Sequence, residues 1–210
     1  MRDALETFNR NMDSIKTLHA IHEQFVKTYT ALDLSEILRA EYVLIVSAFD
    51  CFLHDIVQNY MHHITFEIDD TALIPNEYRK FKMPLDTLKS ILEASDETKK
   101  QILHAALKKS LSEFSFESPQ TVERAMGYIG VKSIWTKIAS SLDVGAEDIK
   151  KQLSIIILRR NCIAHQADIV SYIDDTKQQI DREDVGFVIN LIEKITHCIN
   201  EIVVQKYAYV

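Results

Sequence analysis

The residue types with the clearest chemical use stand together in one segment, Leu158-Arg159-Arg160-Asn161-Cys162-Ile163-Ala164-His165. An arginine binds a phosphate through two parallel N–H donors and stabilises the negative charge that develops on the phosphate in a transition state. A histidine has a pKa near about 6.5, so it transfers a proton at neutral pH. Together these groups suffice for transesterification of an RNA phosphodiester, in which the ribose 2′-OH is the nucleophile.

The element that must position these groups is an apolar helix, predicted over about 147–161. Its apolar residues predict that it is buried along most of its length and delivers the polar side chains at its end to one place. A five-residue step turns about 140° on an ideal helix, so Arg160 and His165 would diverge on a continuous one. Either the helix ends near Asn161, or the second half of the site comes from another chain.

Arg160 and His165, with Asn161 directly after the arginine, resemble the Arg-x(4–6)-His signature of the HEPN superfamily. The RiboL-PSP-HEPN family is the most similar subgroup. Three further stretches, 46–55, 115–123 and 130–135, resemble segments of that family in the same order. The resemblance covers about Leu34 to Val204 and leaves residues 1–30 outside.

This resemblance implies an all-α, HEPN-like helical bundle with additional flanking helices. It implies a metal-independent endoribonuclease without a cofactor, in which Arg160 and His165 are catalytic and Asn161 and Arg159 support the site. Two chains of such families pair so that both motifs face each other across a twofold axis. The resemblance further implies a toxin-like or phage-defence role, in which an antitoxin or another partner restrains the enzyme.

An early helix carries a second group of polar residues, because Asp50 and His54 lie one turn apart between apolar flanks. In one interpretation, Asp50 faces the site and orients Arg160 or His165. In the other, Asp50 and His54 form an ordinary intra-helix ion pair on a solvent-exposed surface. His19 and His22 also share a helix face, but no third metal ligand accompanies them, which favours surface histidines and no metal site.

The composition supports an all-α class. The chain has 210 residues with only 4 Gly and 3 Pro, which argues against a turn-rich β-sandwich or barrel and excludes glycine-rich phosphate loops. Residues 1–210 are predicted as one domain, with 1–30 a flanking N-terminal helix. The helical spacing predicts further helices over about 34–60, 85–93, 96–111, 120–128, 132–142 and 181–205, with a long connection over 66–84 and a strand-like segment at 169–173.

Charge and cysteine content indicate the surroundings. The formal net charge is −7, so a site for a polyanion must be a local basic patch. The three cysteines lie in apolar runs and predict buried free thiols in a reducing compartment. No apolar run approaches the roughly 20 residues of a membrane span, and the expectation is a cytoplasmic protein.

Three functions follow as hypotheses: an endoribonuclease that acts on RNA as a homodimer, a non-catalytic module that binds RNA or a nucleotide, and a purely structural dimerisation module in which Arg160 and Asp50 form a buried ion pair. Cleavage of RNA in EDTA separates the first from the others. Loss of RNA binding in Arg160→Ala separates the second from the third.

Overall fold

Helices dominate the architecture, and the predicted all-α class is confirmed. The structure, a computed structural model, describes residues 3–29, 31–171, 173 and 175–208. Its α-helices are α1 (Ala4–Thr28), α2 (Ser35–Glu67), α3 (Asn76–Arg79), α4 (Leu85–Glu93), α5 (Asp96–Leu111), α6 (Pro119–Tyr128), α7 (Ile134–Leu142), α8 (Ala146–Gln166) and α9 (Arg182–Tyr207).

The centre of the bundle is α2, which packs against α1, α5, α6, α8 and α9. Its apolar residues recur at three- and four-residue steps, which places them on faces that the surrounding helices cover. Phe49, Leu53 and Val57 are fully buried there. The N-terminal helix α1 adds Phe8 and Met12, both fully buried, so this flanking helix shares the core of the bundle.

The segment predicted as a long connection between α2 and α4 contains short helical turns. A 3-10 helix covers Thr71–Leu73, and α3 adds one turn at Asn76–Arg79. Such turns are too short for the periodicity of apolar residues to predict. Among the described residues, no helix is long and apolar enough to cross a membrane.

The predicted end of α8 near Asn161 is wrong, because the helix continues to Gln166. It ends where Ala167 and Asp168 both adopt positive φ angles, 50° and 63°, and the Asp168 N–H donates to the Cys162 carbonyl. The chain then enters an antiparallel pair of short strands, β1 (Ile169–Ser171) and β2 (Thr176–Lys177). Part of the predicted segment at 169–173 is therefore a strand.

Candidate active site

Arg160 lies on the buried face of α8. Leu153, Ile156 and Ile157 precede it by seven, four and three residues and are buried, so the helix carries the Arg160 side chain toward the bundle interior. Only 15% of that side chain is exposed, and its Nη2 contacts Oε2 of Glu117. Burial lowers the pKa of Arg160, and the negative charge of Asp50 opposes that shift. The guanidinium is thus a largely buried cation that carboxylates stabilise.

Glu117 is a site residue that the sequence analysis missed. It belongs to the segment 112–118 between α5 and α6, and its side chain is 12% exposed. The signal was present, since Glu117 is an acidic residue inside the stretch at 115–123 that resembles the family. The sequence alone does not show that Glu117 pairs with Arg160, because the two residues come from elements far apart in the chain.

Asp50 holds this same segment in place. One carboxylate oxygen of Asp50 accepts a hydrogen bond from the Phe116 N–H at 2.7 Å, and the other lies 3.6 Å from Nε2 of His54. The His54 ring in turn contacts the Phe116 ring, with 4.6 Å between centroids. The helical pair therefore exists, on a half-buried surface, and the hydrogen bond of Asp50 goes to the segment that carries Glu117 rather than to Arg160 or His165.

His165 leaves α8 in a different direction from Arg160. Because α8 is continuous through both residues, their side chains diverge by about 140°. His165 is exposed, and Asn161, one turn earlier on the same side, is half-buried. A single chain therefore directs the arginine inward and the imidazole outward.

Arg159, predicted to support the site, has a structural partner at the end of α8. Its Nη2 donates to Oδ2 of Asp168 at 2.8 Å and to the carbonyls of Gln178 and Gln179. The Nε of Arg39 on α2 donates to the same oxygen, also at 2.8 Å. Asp168 is 1% exposed, so two guanidinium groups surround one buried carboxylate. This Arg39–Asp168–Arg159 triad fixes the end of α8 against α2.

The family model described as RiboL-PSP-HEPN matches residues 6–205. The chain belongs to this family. The match includes most of α1, which the resemblance seen in the sequence did not reach. No curated protein and no solved structure gives a significant match to this chain.

The two N-terminal histidines of this RiboL-PSP-HEPN chain are not surface residues, contrary to the sequence-based expectation. Nδ1 of His19 lies 2.6 Å from Oε2 of Glu41, whose side chain is fully buried, and His22 is buried beside them on the same helix. Burial raises the pKa of Glu41 and lowers that of His22. Within the described part of the chain, no group of three or more His, Cys, Asp or Glu side chains is arranged to hold a metal.

The outer face of α8 in this HEPN domain is apolar where it meets solvent. Ile155 is 50% exposed and Leu158 67%, and Phe187 on α9 is 52% exposed. These three side chains line a cavity of about 390 Å³ together with Arg159. Leu158 lies two turns before His165 on the same side of the helix, so an uncovered apolar surface adjoins the imidazole.

Proposed function

We propose that this protein is a metal-independent endoribonuclease that cleaves RNA by 2′-OH transesterification. One observation carries the proposal: in a chain of the RiboL-PSP-HEPN family, α8 holds a largely buried guanidinium and an exposed imidazole within two turns. The residue types match the reaction, since Arg160 stabilises the charge on the phosphoryl oxygens and His165 transfers the proton.

The proposed reaction needs only these side chains, the RNA itself and water, which takes or supplies the proton that His165 does not transfer. The 2′-oxygen attacks phosphorus and loses its proton to a general base, the bond from phosphorus to the 5′-oxygen breaks, and a general acid protonates that oxygen. His165 serves as base or acid. The products are a 2′,3′-cyclic phosphate and a 5′-OH. Asn161, on the side of α8 that carries His165, positions the phosphate or the imidazole.

The divergence of Arg160 and His165 supports a site built from two copies of the chain. In a twofold interface the same patch meets itself, so exposed Ile155 and Leu158 would cover each other. His165 of each copy would then lie toward the motif of the other. Because these side chains are 50% and 67% exposed, covering each one fully contributes about 1–2 kcal/mol.

The decisive test is cleavage of a labelled RNA in EDTA by the wild type and by His165→Ala. We expect a rate on the order of 10²–10⁴ lower in the variant, the usual contribution of general acid–base catalysis. His197→Ala, which removes an exposed histidine from α9, is the matched control and should retain full activity. Activity that disappears in EDTA and returns with a divalent ion would contradict the proposal.

A second candidate function is a non-catalytic RNA-binding or dimerisation module. The ion pair of Arg160 with Glu117 favours it, because a guanidinium with a carboxylate partner inside its own chain can serve the fold alone. An absence of cleavage, with RNA binding lost in Arg160→Ala, would indicate the binding module. An absence of both activities, with a dimer in sedimentation, would indicate the structural one.

The proposed role in the cell is that of a toxin or phage-defence effector, restrained by a partner. An RNase of this kind should arrest growth when it is expressed alone. Comparing induced wild type with induced His165→Ala tests this role, and equal growth of both strains would contradict it.

A further inference from the structure

A cleft of about 570 Å³ lies between the segment that follows α3 and the facing ends of α5 and α6. Its walls combine aromatic rings with cationic side chains, and the residues that the argument uses are Lys80, Phe81, Lys82, Phe114, Arg124 and Tyr128. The proposed catalytic residues do not line it. This combination of side chains is the one that proteins use to bind single-stranded nucleic acids without sequence preference.

The aromatic wall is ordered by ring contacts. Phe81 meets Tyr128 edge to face, with 5.4 Å between ring centroids. The Arg124 guanidinium lies over the Phe114 ring at 4.6 Å, and its Nε donates to the Tyr128 hydroxyl. Phe81 and Phe114 are half-buried and Arg124 is exposed, so planar groups remain accessible to a ligand.

The charge of the cleft is positive, in contrast to the net charge of −7. Among the described residues, no carboxylate forms an ion pair with Arg124 or Lys82, whereas Lys80 pairs with exposed Glu77 at 2.6 Å. One carboxylate, Glu113, also lines the cleft and can accept a hydrogen bond from a ribose hydroxyl or a base amine. The cleft is therefore a local basic site of the kind that a polyanion requires on an acidic protein.

The cleft is connected to the candidate active site through the segment 112–118. Phe114 lies in the cleft and stacks on Phe116, with 6.2 Å between ring centroids. Phe116 contacts His54, and the next residue, Glu117, pairs with Arg160. Phe114 and Glu117 are three residues apart, at most about 11 Å along the chain, so the cleft lies close to the Arg160–Glu117 pair.

We propose that this cleft binds one unpaired nucleotide of the RNA substrate, next to the position that is cleaved. The base stacks against the Phe81 ring and the outer face of the Arg124 guanidinium, which itself lies over Phe114, and an adjacent phosphate contacts Lys82. This inference rests on the proposed endoribonuclease function and adds its substrate preference, which is single-stranded RNA. Stacking on aromatic rings requires a base that is not paired in a duplex.

The test measures binding in the His165→Ala background, where the RNA is expected to stay intact. The probe is a fluorescently labelled single-stranded 12-nucleotide oligouridine, followed by anisotropy, and a 12-base-pair RNA duplex is the second probe. We expect Phe81→Leu and Arg124→Gln each to weaken single-strand binding, by roughly 5- to 150-fold where a stacked base is lost. Lys82→Gln should lower the slope of log affinity against log salt by about 1.

The matched controls are Phe25→Leu and Arg10→Gln, which change an exposed phenylalanine and an exposed arginine on α1. They should leave binding within about twofold if only the cleft stacks a base. Arg124 is exposed, so Arg124→Gln keeps the test valid even if Phe81→Leu unfolds.

Unchanged binding in Arg124→Gln and Lys82→Gln would overturn the cleft assignment, and cleavage by the wild type would then still support the proposed function. Equal affinity for the duplex would overturn the preference for single strands. A polyglutamate peptide that binds the parent protein and is released by the same variants would assign the cleft to an acidic protein segment. If the His165→Ala protein does not bind RNA and the wild type does not cleave it, the proposed function itself fails.

Discussion

Replacing Arg160 by Gln leaves the Glu117 carboxylate in the bundle interior without its cation and near the charge of Asp50. The two side chains are 15% and 12% exposed, so the pair is neither on the surface nor fully buried. A surface ion pair contributes up to about 1 kcal/mol, whereas breaking a fully buried one costs about 3–5 kcal/mol. We therefore expect the free energy of unfolding to fall by about 1.5–3 kcal/mol. For a domain of this length, the Tm should fall by about 3–12 °C.

The assay is a double-mutant cycle measured by thermal and denaturant unfolding. Glu117→Gln alone should destabilise the fold by a similar amount, and the double variant should lose no more stability than either single variant, which gives a coupling energy of about 1.5–3 kcal/mol. The exposed pair Lys89–Glu93 is the control, where we expect a coupling below about 0.5 kcal/mol. Additive losses at Arg160 and Glu117 would refute the ion pair and the geometry derived from it.

Three further predictions concern assembly, the end of α8 and pH. Mixing His165→Ala with Arg160→Ala under subunit exchange should restore about a quarter of the wild-type activity. Half of the dimers are then heterodimers, and each of these holds one complete cleft out of two. No recovery would mean that each chain holds a whole site. Asp168→Asn keeps a residue type that tolerates positive φ, but it leaves Arg159 without a carboxylate and Arg39 with only the exposed Glu36. Denaturant unfolding should therefore show a loss of about 3–5 kcal/mol, and a loss below about 1 kcal/mol would contradict the triad. Burial lowers the pKa of His22 and His62, so the unfolded chain binds more protons than the folded one near neutral pH. The free energy of unfolding should therefore fall as pH drops through about 6.5. The double variant His22→Gln/His62→Gln should flatten this pH dependence, and an unchanged slope would contradict the assignment.

The helices were predictable from sequence because local apolar periodicity determines them. The bounds of α4 and α5 match the predicted ranges, and α9 begins directly after Asp181, where its predicted range starts. The end of α8 was not predictable in this way. Its last turn contains no glycine or proline, and the helix stops only where the Asp168 side chain accepts hydrogen bonds from the largely buried Arg39 and Arg159.

Long-range partners explain why only part of the site was predicted. The segment with Arg160 and His165 was evident from residue types, but the roles of Glu117 and Arg39 depend on contacts with residues distant in the chain. Both are charged residues next to apolar ones, a pattern that indicates a buried partner without identifying it. The same limit applies to His19, whose partner Glu41 lies on another helix.

The triad at the end of α8 also affects how the protein is made. Arg39 and Asp168 are separated by 129 residues, so a ribosome that adds about 5–20 residues per second needs roughly 6–26 s to supply the carboxylate after the arginine. During that interval Arg39 on α2 lacks its Asp168 partner, and the turn that follows His165 does not yet exist. Nascent or truncated chains that end before residue 168 should therefore lack a fixed imidazole, which delays any nuclease activity until synthesis is nearly complete.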